Sequence, residues 1–251
     1  MNKVVGIAML TFFACLPVQM GEIDAVYSQS VQDRKAEADR LSELGNQQYN
    51  KSQYQDALQS YQSALEIYRA INNRERERAS LNSLGITYRS MGQYQKAIDF
   101  FRKSLVISMQ IEDLYGQGVT LGNLGNVYDN LGQYQKAIDF YQQSLAIKKQ
   151  IGERKGEGST LNSLCNVYNN LGQYLTAIDY CQQSLEIFKQ IGDRYGEGAS
   201  LGNLGNAHNS LGQYKKAIDF YKQQLQQIPI KPTTKQPIEK AQSRCHNDET
   251  N

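Results

Sequence analysis

Apolar residues recur along this chain at three- and four-residue steps, halt at a glycine, and start again. Across residues 158–197, Leu161, Leu164, Cys165 and Tyr168 fall at i, i+3, i+4 and i+7, the spacing that lines one face of an α-helix. Gly172 follows as a stop, because glycine tolerates the left-handed conformation that ends a helix. Tyr174, Ala177, Ile178, Cys181, Leu185 and Phe188 form a second helical stripe, and the small Ala177 lets two backbones approach. Gly192 stops that helix, and the Asp193 carboxylate is placed to accept from the free N–H groups of the next one. The segment therefore predicts two antiparallel helices.

The same grammar returns every 40 residues. Ala57, Ala97, Ala137, Ala177 and Ala217 share one column, and Tyr54, Tyr94, Tyr134, Tyr174 and Tyr214 share another. Leu-Gly-Asn-Leu-Gly-Asn at 121–126 is repeated unchanged at 201–206. A period in this range marks an array in which no unit buries its apolar face alone and neighbours stack into one elongated core. The expected fold is an all-α solenoid of five helix-turn-helix units over residues 33–228, divided 33–73, 74–113, 114–153, 154–193 and 194–228. First helices are expected to start near Arg34, Arg74, Leu114, Arg154 and Arg194. In the first unit Gln48 replaces the tyrosine of Tyr88, Tyr128 and Tyr168, and Ser52 replaces the stop glycine, as terminal units often depart from pattern.

Leu121, Leu124, Gly125, Tyr128, Ala137, Tyr141 and Ser144 recur in register through the units, and this pattern resembles the tetratricopeptide repeat family. The standard unit of that family has about 34 residues. The longer second helix and the Leu-Gly-Asn motif resemble the subgroup containing kinesin light chains and the adaptors of spindle orientation and G-protein signalling, with similar arrays in bacteria. The resemblance implies a right-handed superhelix whose first helices line a concave groove.

Outside the array the chain changes character. Lys3 precedes an apolar run at 4–15 that Pro17 ends, too short to cross a bilayer but suited to a signal-peptide core. Residues 1–28 are expected to be a signal peptide, with Ala25 and Ser28 as small residues for cleavage, or the chain is lipid-anchored at Cys15. Export is the expectation, and an uncleaved anchor or a misassigned start the alternative, leaving the protein cytoplasmic. Residues 229–251, interrupted by Pro229, Pro232 and Pro237, are expected to be a polar disordered tail. No membrane span is expected in the mature chain. The last helix is expected to leave Ile218, Tyr221, Leu225 and Ile228 uncovered, an edge for self-association.

A formal net charge of +2 gives no footprint for nucleic acid. The four cysteines, Cys15, Cys165, Cys181 and Cys245, have no metal-ligand spacing. Cys165 takes the place of Gly45, Gly85, Gly125 and Gly205, and Cys181 that of Tyr61, Phe101, Tyr141 and Tyr221. Both read as small core hydrophobes, with a disulfide between them as the alternative. Gly198-Ala199-Ser200-Leu201-Gly202 matches a serine-hydrolase pattern, but its serine falls within a helix, not on a strand-to-helix elbow. His208 stands in a tyrosine column and reads as a packing residue. No phosphate-binding loop or carboxylate pair is present, so no catalytic residue, metal or cofactor is expected.

One pattern points to binding. Asparagine dominates the polar face of the first helices: Asn82 in the second unit, Asn123, Asn126 and Asn130 in the third, Asn162, Asn166, Asn169 and Asn170 in the fourth, Asn203, Asn206 and Asn209 in the fifth. Asparagine costs a helix interior roughly 0.5 kcal/mol against alanine. An amide offers a donor and an acceptor, the complement of a peptide group. These rows are expected to hold an extended, largely uncharged segment of a partner protein, and alanine at 126, 166 and 206 to leave the free fold no less stable. The alternative is that duplication copied a harmless surface residue. The column Ser42, Asn82, Gly122, Asn162, Gly202 offers no cation, so no carboxylate clamp of the kind that grips chaperone C-termini is expected. The function expected is a non-enzymatic protein-interaction scaffold. The alternatives are an accessory array for an effector or enzyme on another chain, or a peptide-sensing receptor.

Overall fold

The computed structural model describes residues 20–227, with side chains from Ser30 onward. Ten α-helices and no strands are found among them: α1 Met20–Asn50, α2 Tyr54–Ala70, α3 Arg74–Ser90, α4 Tyr94–Gln110, α5 Leu114–Asn130, α6 Tyr134–Gln150, α7 Arg154–Asn170, α8 Tyr174–Ile191, α9 Arg194–Ser210 and α10 Tyr214–Gln227. Four first helices begin where the caps and stops place them. Asn73, Asp113 and Asp193 each accept a hydrogen bond from the third backbone N–H beyond them. The first helix differs. It begins at Met20, ahead of the expected Arg34, because the stretch after Pro17 holds no helix breaker but Gly21. The apolar run at 4–15, Ile228 and the tail lie outside the described residues.

Each hairpin closes on one contact. Ala57, Ala97, Ala137, Ala177 and Ala217 are wholly buried where the second helix crosses the first. Opposite them, Gly45, Gly85 and Gly125 lie flat under the rings of Tyr61, Phe101 and Tyr141, so close that a Cβ would stand 2.6–2.7 Å from the ring carbons. Gly205 lies under Tyr221 in the same way. The fourth hairpin is built differently. Cys165 and Cys181 occupy the glycine and aromatic positions and are joined by a disulfide, with their Cα atoms 5.3 Å apart. This corrects the expectation of two free core thiols. A glycine under a ring leaves the right backbone separation for two sulfurs, so one pair substitutes for the other.

A second aromatic layer ties the helices at their other end. Tyr88 stacks on Phe100, Tyr128 on Phe140, Tyr168 on Tyr180 and His208 on Phe220, with centroids 5.2–5.3 Å apart. His208 is thus the packing residue its column implies; it is buried, and its Nδ1 meets Gln213 at 2.7 Å. Tyr221, expected at an uncovered edge, is buried against Gly205, while Ile218 and Leu225 are half-buried.

Each helix packs on the ones before and after it, and the first helices α3, α5, α7 and α9 also touch one another in turn, which successive second helices do less. The first helices therefore lie on the inside of the curve. Among the described residues no helix is long and apolar enough to cross a membrane.

The connectors demand left-handed backbone. Gly152 and Gly192 adopt φ of +69°, while Asn72 and Glu112 hold the same place with φ of +55°. Left-handed backbone costs a side-chain-bearing residue on the order of 1–2 kcal/mol, partly offset by the greater chain entropy glycine loses on folding. Glu112→Gly is expected to raise stability by about 1 kcal/mol, read as an upward shift in urea midpoint at unchanged m.

Candidate functional site

The asparagine rows lie along the inner side, but their amides are not equally free. The Tyr141 hydroxyl donates to Asn126 Oδ1 at 2.7 Å, Tyr221 to Asn206 at 2.9 Å and Tyr61 to Asn46 at 2.8 Å. In each of these hairpins the ring that covers the glycine also uses one end of the asparagine. In the second hairpin both polar partners are missing together, since Phe101 stands over Gly85 and Ile86 takes the asparagine's place. Burial pushes the Tyr61 hydroxyl up to about 12, aided by the nearby Tyr49 and Glu43, and raises that of Tyr141. These phenols stay protonated and keep donating. Asn166 is the exception: Cys181 provides no hydroxyl, and the half-buried Asn166 amide has no hydrogen-bond partner among the described residues.

A second set of bonds stitches neighbouring first helices together. Asn123 Nδ2 donates to Asn82 Oδ1, and Asn203 Nδ2 to Asn162 Oδ1, each at 3.0 Å. These stitches join α3 to α5 and α7 to α9 at mid-helix. At the α1–α3 and α5–α7 junctions the equivalent residues are Ser42 with Ser83 and Gly122 with Ser163, too short to meet. There the helices are tied nearer their ends instead, by Tyr49 with Ser90 at 2.8 Å and by Asp129 with Asn170. The stitching therefore alternates, and its true period is 80 residues. Asn130 and Asn170 are exposed at the helix ends, and Asn169 and Asn209 each bury an Oδ1 that finds no partner.

Where the mid-helix stitch is missing, a small polar pocket opens. One of about 110 Å³ is lined by Ser42, Asn46, Tyr61, Tyr68, Arg76 and Ser83. The other, about 140 Å³, lies 80 residues on, lined by Gly122, Asn126, Tyr141, Lys148, Thr160 and Ser163 among others. Beside the first, the Asp39 carboxylate accepts from the lining Tyr68 hydroxyl at 2.6 Å and lies 3.7 Å from the lining Arg76. Burial alone would raise that carboxyl, but hydrogen bonds from Lys35 and Tyr68 and the Arg76 charge hold it below the usual range. In the second, Lys148 Nζ donates to Thr160 Oγ1 at 2.9 Å and reaches the Gly156 carbonyl at 3.4 Å. Burial lowers its pKa, against a weaker raising influence of Glu153. Lys148 was not legible as a groove residue, because it arrives from the end of a second helix in a column otherwise filled by Tyr68, Ser108 and Phe188.

Burial also lifts the Asp129 carboxyl above the usual aspartate range, against the bond from Asn170. A raised folded pKa makes the ionised form costly. The associated stability is present below the unfolded value of about 3.9 and is lost as pH rises through the raised one. Asp129→Asn, which copies Asn169 and Asn209 of the same column, is expected to raise the Tm at pH 7 and to leave it nearly unchanged below pH 3.5 or so. A pH series of melts on both proteins checks it.

Ser200 is no nucleophile: it is fully buried, 2.8 Å from the Ser184 hydroxyl, and donates to the Gly196 carbonyl. Among the described residues no group of three or more His, Cys, Asp or Glu is placed to hold a metal.

Stacked helical hairpins with first helices lining one inner polar face define an α-solenoid of the protein-interaction class. The tetratricopeptide repeat family profile matches residues 37–110 and 157–226, and a second tetratricopeptide repeat profile matches 119–150. The chain belongs to the tetratricopeptide repeat family. No curated protein matches it. Among solved structures it is similar to BtubC (BKLC) from P. vanneervenii, at 17% identity and a TM-score of 0.69, over 83% of this chain and 91% of that one. It is also similar to a Podosopora anserina chain of the kinesin light chain type with nearly identical TPR-like repeats, at 20% identity and 0.64, over 77% and 95%. A Rap protein complexed with competence and sporulation factor matches at 15% identity and 0.67, over 81% of this chain and 55% of that one. At these identities the likeness is one of fold.

Proposed function

We propose that the chain is a non-enzymatic scaffold that holds an extended segment of a partner protein along the inner face of α5, α7 and α9. The observation that supports this reading is unspent amide capacity on that face. Asn166 makes no side-chain hydrogen bond among the described residues, and Asn126 keeps both of its amide N–H groups. Free donors and acceptors in a row suit an extended backbone, which offers the same groups in return. The Rap protein, of similar fold, is complexed with competence and sporulation factor. Hydrogen exchange on the chain with a partner captured from its host tests the reading. Protection concentrated on α5, α7 and α9 is expected; protection confined to the second helices would overturn it.

We also propose that the chain works in an oxidising compartment. The buried Cys165–Cys181 bond supports this, since such bonds persist outside the reducing cytosol. So does the apolar run after Lys3. Mass spectrometry of protein from the native host is expected to find the bond intact and a mature start between Val26 and Val31, or a lipidated Cys15. An intact Met1 with two free thiols would refute it. The half-buried Ile218 and Leu225 on α10 favour association of copies at that edge, and light scattering at increasing concentration checks it.

A further inference from the structure

The two pockets of the inner face are equivalent in position and differ in their charged groups. The first has an acid behind its wall: Asp39 pairs with the Tyr68 hydroxyl and the Arg76 guanidinium, two residues that line it. Eighty residues on, the Asp39 position is Val119, the Tyr68 position is Lys148 and the Arg76 position is Gly156. The second pocket has a cation and has lost the acid. Val119, at the acid's position, lines it.

Lys148 is poorly served by what remains. Its two partners are a hydroxyl and a carbonyl, both uncharged, and the carbonyl is distant at 3.4 Å. An ammonium has three protons to give, so at least one is left for the pocket. Glu153 flanks Gly156 beside the lysine stem, yet makes no ion pair with the amine. Asn126, whose oxygen accepts from Tyr141, lines the same pocket and has both of its N–H groups to offer.

We propose that this pocket seats one carboxylate of the segment held by the inner face, on the Lys148 ammonium and the Asn126 amide. The inference rests on the groove reading above and adds a chemical address to it. A carboxylate carries one charge and two acceptor edges, which matches one cation and one amide donor. A phosphate ester carries a second charge, and Lys148 is the one charged residue lining the pocket. The cation enters from a second helix, so the site differs in construction from a clamp built on first-helix lysines.

A resin-bound random decapeptide library, made once with amidated and once with free C-termini, tests this on the full chain. The array is expected to retain peptides carrying Asp or Glu, and changing that residue to Asn or Gln is expected to weaken Kd by about tenfold or more. Lys148→Met should erase the difference, with the helical circular-dichroism signal confirming the fold. Val119→Asp, which restores the acid found beside the first pocket, should erase it too by occupying Lys148 internally. An acidic preference in both libraries assigns the site to a side-chain carboxylate; one confined to free C-termini assigns it to a chain end. Retained peptides with no acidic preference, or a preference indifferent to both substitutions, overturn the proposal and leave the groove reading standing. Failure of the unmodified array to retain any peptide in either library removes both.

Discussion

Reduction of the Cys165–Cys181 bond is expected to cost the chain about 3 kcal/mol, the chain-entropy value for a loop of this length, since the two cysteines are 16 residues apart. The more informative experiment exchanges the pair. In the other hairpins a glycine lies so close under its ring that even a Cβ would collide with it. Cys181→Tyr alone therefore forces a ring onto the Cys165 side chain, and Cys165→Gly alone leaves a void and an unpaired buried thiol. Each loses the crosslink as well. The double substitution Cys165→Gly with Cys181→Tyr rebuilds the contact used by Gly125 and Tyr141. It is expected to recover about 1–3 kcal/mol beyond the sum of the singles, and its melting temperature should no longer respond to reductant. Urea melts with and without dithiothreitol measure all four proteins. Additive losses would mean that the two kinds of hairpin contact are not interchangeable.

Asparagines of one column are expected to respond to alanine with opposite signs. Asn126→Ala strands the buried Tyr141 hydroxyl without its acceptor, at a cost of about 1–3 kcal/mol. Asn206→Ala likewise removes the Oδ1 to which the Tyr221 hydroxyl donates. Asn166→Ala strands nothing and gains helix propensity, so the free protein should be unchanged or more stable by roughly 0.5 kcal/mol. The cost of Asn166→Ala should fall on partner binding instead. This replaces the expectation that alanine is harmless at all three positions. The tyrosine introduced at position 181 in the exchange above links the two experiments. It would give Asn166 a hydroxyl to accept from, and Asn166→Ala should then become destabilising in that background.

The architecture was legible because repetition carries it. Five repeated stripes, four of them stopped by glycine and the first by Ser52, gave the hairpins, and Asp193 and its counterparts gave the starts of four of the five first helices. What escaped was relational. The Cys165–Cys181 disulfide, the alternative in the sequence, becomes the first reading only when the glycine column and the aromatic column are read as one contact, which makes the two cysteines a matched replacement. Likewise, Asn46 with Tyr61, Asn126 with Tyr141, and Ile86 with Phe101 keep or lose their polarity together. That covariation inside the chain was the signal that most of the column serves the fold. Lys148 escaped for another reason. The family resemblance places groove residues on first helices, whereas a long side chain at the end of a second helix reaches the same face.

The alternation of stitches sets what lengths this array can take. Excising residues 114–153, one apparent repeat, would bring Asn82 against Ser163, and the cross-helix amide pair would have no counterpart. Excising residues 114–193 would bring Asn82 against Asn203 and preserve it. The chain is thus assembled from paired hairpins. Shortening or growth by an odd number of units puts the seam out of phase, whereas change by an even number leaves every junction facing the neighbour it was matched to.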